Sequence, residues 1–131
     1  MKLFDLIKKK LFKKQPVKTG DHLVDFYNRI DEDSRLLSKH GRIEFLTTTK
    51  YVEKYLKDGM KIMEIGAATG RYSHYFAQKG FEVDAVELIE HNIEIFKSKT
   101  QPNEKICIRQ GNAIDLSEYP DESYDITLLL G

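Results

Sequence analysis

The first part of the chain has the apolar spacing of helices. Up to Gly59, apolar residues recur three and four positions apart, the period of an amphipathic helix. An acidic cluster from Asp31 to Ser34 is typical of a helix N-terminus. We expect Gly41 to interrupt the pattern and Asp58-Gly59 to end it. The predicted helical segments are 21–30, a short one through Leu36 and Leu37, and 42–57.

The pattern changes after Gly59. Short apolar or alternating runs, typical of strands, now alternate with helical stretches. A chain of strand, helix, strand, helix, strand, loop and strand favours an α/β fold with a parallel sheet and right-handed crossovers. The predicted strands are 61–65, 81–87, 105–109 and 124–130, and the predicted helices are 71–79 and 90–99.

Charge is distributed unevenly along the 131 residues. The chain has 21 basic and 21 acidic side chains, yet residues 1–20 carry a net charge of +6 and residues 21–131 a net charge of −6. The acidic body disfavours a nucleic-acid partner. Its single cysteine excludes an internal disulfide and a Cys-based zinc site, and no apolar run is long enough to span a membrane. We expect a reducing, cytoplasmic location.

Residues 1–20 form a basic amphipathic arm. Its lysines fall largely on the opposite side of the helical wheel from its apolar residues, which are Leu3, Phe4, Leu6, Ile7, Leu11 and Phe12. Such a segment is typical of an interfacial helix on anionic lipid. The alternatives are a frayed tail and a helix that docks on the body. The arm lacks the long apolar core of a secretory signal.

A small-residue loop joins the first predicted strand to the following helix. It contains Gly66, Ala68 and Gly70, which allow close approach of the backbone to a ligand at a helix N-terminus. A dinucleotide fingerprint needs a further small residue where this chain has Arg71, so the spacing disfavours a nicotinamide cofactor. A simple tight turn is the alternative interpretation.

Glu87 ends the second predicted strand, 17 residues after Gly70. A carboxylate at this place can accept hydrogen bonds from two vicinal ribose hydroxyls. The alternative is a solvated strand end. Together, Gly70 and Glu87 in this order favour a nucleoside-containing ligand.

Four stretches in order resemble class I S-adenosylmethionine-dependent methyltransferases, of the bacterial small-molecule type. The resemblance covers residues 40–131 and implies a Rossmann-like parallel sheet with flanking helices, S-adenosylmethionine as cofactor, S-adenosylhomocysteine as product and a small-molecule acceptor. The stretches are Ile62-Met63-Glu64-Ile65-Gly66-Ala67-Ala68-Thr69-Gly70-Arg71-Tyr72, Val83-Asp84-Ala85-Val86-Glu87, Gly111-Asn112-Ala113-Ile114-Asp115-Leu116 and Tyr124-Asp125-Ile126-Thr127-Leu128-Leu129-Leu130-Gly131.

The resemblance also implies a role for each matching residue. Glu64 would help to orient the methionine end, and Glu87 would bind the ribose hydroxyls. Leu88 would pack beside adenine, with Asn112 and Ala113 at the adenine edge. The loop under the methionine moiety would consist of Gly66, Ala67, Ala68 and Gly70.

Two of these residues depart from the family pattern. Ala68 stands where glycine is usual, which is acceptable if its φ is negative and would narrow the pocket by one carbon. Asn112 stands where aspartate is common, and its amide still provides an acceptor for the adenine amino group.

Other reactive side chains suggest no further chemistry. The four histidines lack metal-ligand spacing and pair with no obvious carboxylate, so no metal is expected. We expect Tyr72 and His74 on a helix surface, and Cys107 buried in its strand. The sequence assigns no catalytic residue.

The predicted fold has about four strands, whereas the family sheet has seven. We therefore expect a cofactor-binding half, truncated, with the strand Ile126–Leu130 at an open edge that a second copy or another chain covers. The alternative is a non-catalytic nucleotide-binding or interaction module. The predicted organisation is an arm (1–20), a helical segment (21–58) and a partial methyltransferase domain (59–131).

Overall fold

The computed structural model describes residues 22–29 and 31–130, so the predicted arm of residues 1–20 lies outside the described residues. The helices are α1 His22–Arg29, α2 Glu32–Leu37, α3 Lys39–Glu53, α4 Arg71–Gln78 and α5 Glu90–Lys99. The strands are β1 Lys61–Ile65, β2 Glu82–Glu87, β3 Ile106–Gln110 and β4 Ile126–Leu128. None of the described helices is long and apolar enough to cross a membrane.

Side-chain caps determine where the early helices begin. The Asp31 carboxylate accepts a hydrogen bond from the Ser34 N–H at 3.1 Å, which confirms the predicted acidic start of α2. Ser38 caps α3 in the same way, because its hydroxyl accepts from the Gly41 N–H at 3.1 Å. Gly41 is therefore a buried residue inside α3, and the predicted interruption there is wrong.

The strands form a parallel sheet in the order β3-β2-β1-β4. This confirms the predicted α/β, Rossmann-like architecture. Since all strands are parallel, their carboxyl ends meet at one edge of the sheet, where ligands bind in folds of this kind. β1 has the predicted bounds, whereas β4 is shorter than predicted.

Two reciprocal hydrogen bonds join the start of β4 to the start of β1. The Lys61 N–H donates to Asp125 Oδ2 at 2.7 Å, and the Asp125 N–H donates to the Lys61 carbonyl at 2.9 Å. Within the described part of the chain, β4 pairs with β1 alone. The predicted open strand edge is therefore present, and Leu129 beside it is 71% exposed.

Both faces of the sheet are covered at its centre. On one face, α3 and α4 pack over Ile62, Val83 and Leu128, with Phe76 fully buried between them. On the other face, the segment between β3 and β4 lays its apolar side chains over the sheet core of Met63, Ile65 and Val86. These covering side chains are Leu116, Tyr119 and Tyr124.

Cys107 is exposed, so the prediction that it is buried is wrong. β3 is an edge strand, and its positions alternate between two unequal faces. Ile106 and Ile108 face the cluster that contains Phe96, whereas Cys107 and Arg109 lie on the opposite face, where Arg109 lies over the Tyr119 ring and Cys107 is left uncovered. Alternation alone did not reveal which face of this strand is covered.

Candidate functional site

The loop between β1 and α4 is fixed to the neighbouring strand by its backbone. The N–H groups of Gly66 and Ala67 both donate to the Val86 carbonyl, at 2.8 and 3.1 Å. Gly66 and Gly70 have φ of +72° and +87°, a conformation that glycine adopts without steric cost. The loop therefore makes its turn directly at the carboxyl end of β1.

Ala68 occupies the left-handed region, with φ of +48°. The condition of a negative φ, under which alanine would fit without strain, is therefore not met. The physical reason is the direction of its N–H group, which donates to Glu87 Oε2 at 2.7 Å. The backbone is therefore strained at Ala68, and in this conformation the Ala68 N–H meets the Glu87 carboxylate.

Glu87 lies at the end of β2 and links two segments. One carboxylate oxygen accepts from Ala68, and the other accepts from the Ile89 N–H at 2.9 Å, just before α5. The side chain is buried, with 6% of its surface exposed. An ionised carboxylate has about four acceptor positions, so two remain available after these two bonds.

Glu64 lies under the loop and is also buried. Its carboxylate accepts a hydrogen bond from the Ser73 hydroxyl in the first turn of α4. Burial raises the pKa of Glu64 from 4.5 to about 7, and the charge of Glu87 adds to the increase, while the bonds from Ser73 oppose it. Glu64 therefore holds the start of α4 against β1 and titrates near neutral pH.

Gly70 closes the loop against two rings. A Cβ atom added to Gly70 would lie 2.4 Å from the Phe96 ring and 2.8 Å from the His74 ring. Only glycine fits this approach of the backbone, because real Cβ atoms do not come so close to other heavy atoms. Gly70, the last residue of the loop, therefore packs directly where α4 contacts α5.

His74 and Tyr72 are buried, and the prediction that they lie on a helix surface is wrong. α4 is covered on two sides beyond the sheet. Tyr72 packs against Phe45 of α3, and His74 packs against Phe96 of α5. The expectation that no histidine pairs with a carboxylate is also wrong, since His74 Nδ1 lies 2.9 Å from Glu104 Oε2.

The third motif follows β3 at the same edge of the sheet. The Gly111 N–H donates to the Glu87 carbonyl at 3.0 Å. Asn112 Oδ1 accepts from the Ile114 N–H at 3.0 Å, so the amide oxygen expected at adenine is engaged in a local turn. Ala113 is exposed beside it.

A cavity of about 420 Å³ lies next to Glu87, between α1 and the start of α5. This volume is in the range of small-molecule sites. Leu88 is among its lining residues, and the side-chain amide of Gln110 in its wall donates to the Leu88 carbonyl at 3.1 Å. The cavity is lined by Val24, Asn28, Leu88, Ile89, Glu90, His91, Glu94 and Gln110.

The structure thus brings most of the predicted site residues to one edge of the sheet. The loop residues, Glu64 and Glu87 form one connected cluster, and Leu88 lines the adjacent cavity. Asn112 and Ala113 follow β3 at the same edge but are absent from the cavity wall. The sequence pattern indicated no role at this site for Ser73, His74 or Glu104, although Ser73 and His74 follow the loop by only three and four residues.

Two curated proteins are similar to this chain. One is the 23S rRNA (uracil(747)-C(5))-methyltransferase of Pyrococcus abyssi, 30% identical over 60% of this chain. The other is the Bacillus subtilis protein YqeM, which carries the name of a methyltransferase and is 26% identical over 62% of this chain. The matched regions span only 17% and 32% of the lengths of these relatives.

Solved structures share the fold. The PH0226 protein of Pyrococcus horikoshii superposes with a TM-score of 0.65 at 22% identity, over 79% of this chain and 49% of that one. A protein of an antibiotic biosynthesis pathway in Anabaena variabilis, described as a methyltransferase, gives a TM-score of 0.56 at 28% identity. That match covers 64% of this chain and 33% of the other.

A family described as "Methyltransferase domain" matches residues 63–131, which is more than half of the chain. The match begins in β1 and includes the loop, Glu87 and the segment after β3. With the four-stranded parallel sheet, it identifies the family of the chain. The chain belongs to the methyltransferase domain family, with the Rossmann-like fold of class I S-adenosylmethionine-dependent methyltransferases.

Proposed function

We propose that this chain is the cofactor-binding part of an S-adenosylmethionine-dependent methyltransferase whose acceptor is a small molecule. The observation that carries the proposal is the contact between Glu87 and the loop at the carboxyl edge of the sheet. This hydrogen bond of 2.7 Å connects the small-residue loop to the carboxylate that would accept from the ribose hydroxyls. The family match spans both features.

The described residues fit an adenosine-containing cofactor. Glu87 keeps two acceptor positions after its backbone bonds, the number that two vicinal hydroxyls need. Gly66 is exposed, and a Cβ added to it would meet no atom within 4 Å, so the surface above the loop is open. In this proposal Gly66, Ala67, Ala68 and Gly70 form the surface under the methionine moiety.

The adenine side of the site would adjoin the cavity next to Glu87. Leu88 supplies an apolar surface there, and Asn28 and Gln110 supply amides. Asn112 and Ala113 would contribute from the turn after β3, with the amide nitrogen of Asn112 as a donor. Glu64 is too deeply buried for a direct role, so it would orient the methionine end through the loop and α4.

When bound, the cofactor supplies an electrophilic methyl group on a sulfonium. The residues of this chain bind it, fix its orientation and shield its reacting end from water. Proton removal is needed only if the acceptor carries a proton at the attacking atom, and we assign no catalytic base to this chain. S-adenosylhomocysteine is the product that would leave the site.

A small-molecule acceptor is favoured over RNA by charge. The Pyrococcus relative is named for uracil in 23S rRNA, but residues 21–131 of this chain carry a net charge of −6. An acidic surface repels a phosphate backbone. We also propose a cytoplasmic location, because the single cysteine cannot form an internal disulfide and is typical of a reducing compartment.

The remaining proposals concern organisation and partners. The chain would comprise the basic arm 1–20, the helical segment 21–58 and the methyltransferase domain 59–131. The arm would contact an anionic membrane surface peripherally. Another copy or another polypeptide segment would cover the open edge of β4, where Leu129 is exposed.

Calorimetric titration of the folded chain with S-adenosylhomocysteine tests the proposal. We expect saturable binding, with no binding of NAD under the same conditions. A folded sample that binds no S-adenosylhomocysteine at millimolar ligand contradicts the proposal. Binding without methyl transfer to any acceptor would instead favour the alternative of a non-catalytic binding module.

A further inference from the structure

Both ring nitrogens of the buried His74 face oxygen atoms. Nδ1 lies 2.9 Å from Glu104 Oε2, and Nε2 lies 3.1 Å from the Phe96 carbonyl. The Glu104 carboxylate is fully buried at this contact, and the His74 side chain is 8% exposed. His74 thus lies between two acceptors, away from solvent.

The His74 ring meets an acceptor at each nitrogen. A carbonyl accepts only, and an ionised carboxylate also accepts only. Burial raises the pKa of Glu104, but the hydrogen bonds from His74, Gln78 and the Gln101 backbone outweigh it and hold the pKa below its ordinary value. A neutral imidazole carries one N–H and can donate to only one of these two acceptors.

The same ring supports the end of the cofactor loop. It packs on Phe96 with ring centroids 4.5 Å apart, and both rings fill the space beside the Gly70 Cα. The His74 backbone N–H also donates to the Gly70 carbonyl at 2.8 Å. The His74 ring therefore lies directly beside the end of the loop.

We propose that the His74 imidazolium, held by Glu104, is a positioning residue that fixes Gly70 and thereby the loop that binds the cofactor. This inference rests on the proposed function and extends it to a residue pair outside the ligand contacts. A doubly protonated ring donates to both oxygens, whereas a neutral ring would turn a nitrogen lone pair toward one of them.

The groups that face His74 are few among the described residues. Glu104 contributes the only charge that contacts the ring there, and Gln78 binds the other oxygen of that carboxylate at 3.0 Å. From α5 the ring meets the Phe96 carbonyl, which also accepts from the Thr100 hydroxyl at 3.2 Å. Glu64 lies under the same loop with a pKa of about 7, so all variants are compared at one pH.

The first measurement is the charge of the ring in the unaltered protein. The ¹⁵N chemical shifts of the two His74 ring nitrogens, recorded at about pH 7, report whether each carries a proton. We expect two protonated nitrogens. A neutral ring with a single tautomer overturns the proposal, and this readout needs no ligand.

The second measurement separates a positioning role from simple packing. Glu104→Ala removes the partner of Nδ1, and S-adenosylhomocysteine affinity should fall by about three- to thirtyfold, the range of coupling changes from residues outside a binding site. Glu104→Gln can donate to Nδ1 of a neutral ring, so it should restore most of the affinity.

His40→Gln serves as a matched control, since His40 is exposed on α3 and far from this contact in the chain. It should bind with the affinity of the unaltered protein. If Glu104→Gln binds as weakly as Glu104→Ala, or if Glu104→Ala binds with unchanged affinity, the proposal is wrong. Failure of the unaltered protein to bind would contradict only the proposed function, because the ring charge is measured separately.

Discussion

The N–H of Ala68 donates to the carboxylate of Glu87 at 2.7 Å, across the gap between the loop after β1 and the end of β2. These residues are 19 positions apart in the chain. The bond orients one carboxylate oxygen before any ligand is present, while the Ile89 N–H orients the other. Glu87 is thus both a structural link and the main candidate for ligand recognition.

Replacing Glu87 tests both roles. Glu87→Ala should weaken S-adenosylhomocysteine binding by about 1.5–3 kcal/mol through loss of charged hydrogen bonds. It should also lower the unfolding free energy, because the Ala68 and Ile89 donors lose their acceptor. Calorimetry and urea unfolding measure the two effects. Glu118→Gln, at an exposed position, is the control, and unchanged affinity in Glu87→Ala would remove the ribose role.

The strain at Ala68 predicts a stabilising substitution. A left-handed alanine costs about 1–2 kcal/mol, and glycine avoids this cost at the expense of greater freedom in the unfolded chain. Ala68→Gly should therefore raise the unfolding free energy by about 0.5–1 kcal/mol. Urea unfolding measures this change. A clear loss of stability would mean that the alanine methyl makes contacts worth more than the strain.

The two loop glycines should respond differently to alanine. At Gly66 a Cβ meets nothing within 4 Å, so Gly66→Ala should cost only the strain of positive φ less the reduced freedom of the unfolded chain, about 0.5–1 kcal/mol. At Gly70 the Cβ would overlap the buried Phe96 ring, so Gly70→Ala should cost about 2–5 kcal/mol. Thermal and urea unfolding of the pair test this order. Equal costs would contradict the close packing at Gly70.

Glu64 predicts a pH dependence of stability. Its pKa rises from 4.5 in the unfolded chain to about 7 in the fold, so the folded state binds more protons between these values. The contribution of Glu64 to the unfolding free energy therefore decreases as pH rises through this window. The unfolding free energy of Glu64→Gln, relative to that of the unaltered protein, should rise by about 1–3 kcal/mol from about pH 5 to about pH 8. A pH-independent difference would contradict the shift.

The sequence predicted those parts of the fold that depend on local patterns. β1 and α5 have the predicted bounds, since apolar alternation and helical spacing there agree with the burial that tertiary packing imposes. The place of Glu87 at the end of β2 was also predicted, because the alternating run ends there, while its ribose role stays a prediction. Local pattern and tertiary context agreed at these positions.

The remainder depends on which elements pack against each other. Cys107 is exposed because the segment that covers Met63, Ile65 and Val86 does not extend over Cys107 in the edge strand β3. His74 is buried because α5 and Glu104 come from 22 and 30 residues further along the chain to cover it. The left-handed Ala68 follows from a carboxylate on another strand. No periodicity within a single segment carries such information.

The reciprocal bonds between Lys61 and Asp125 also have a kinetic consequence. They span 64 residues, whereas Lys61 pairs with Glu82 across roughly a third of that separation. Closing the longer loop costs more chain entropy, and this cost arises before the contacts between β4 and β1 can form. We therefore expect β1, β2 and β3 to assemble with their helices first, and β4 to dock onto a sheet that already exists. The Lys61–Asp125 bonds would be among the last to form in folding and the first to open in exchange with solvent.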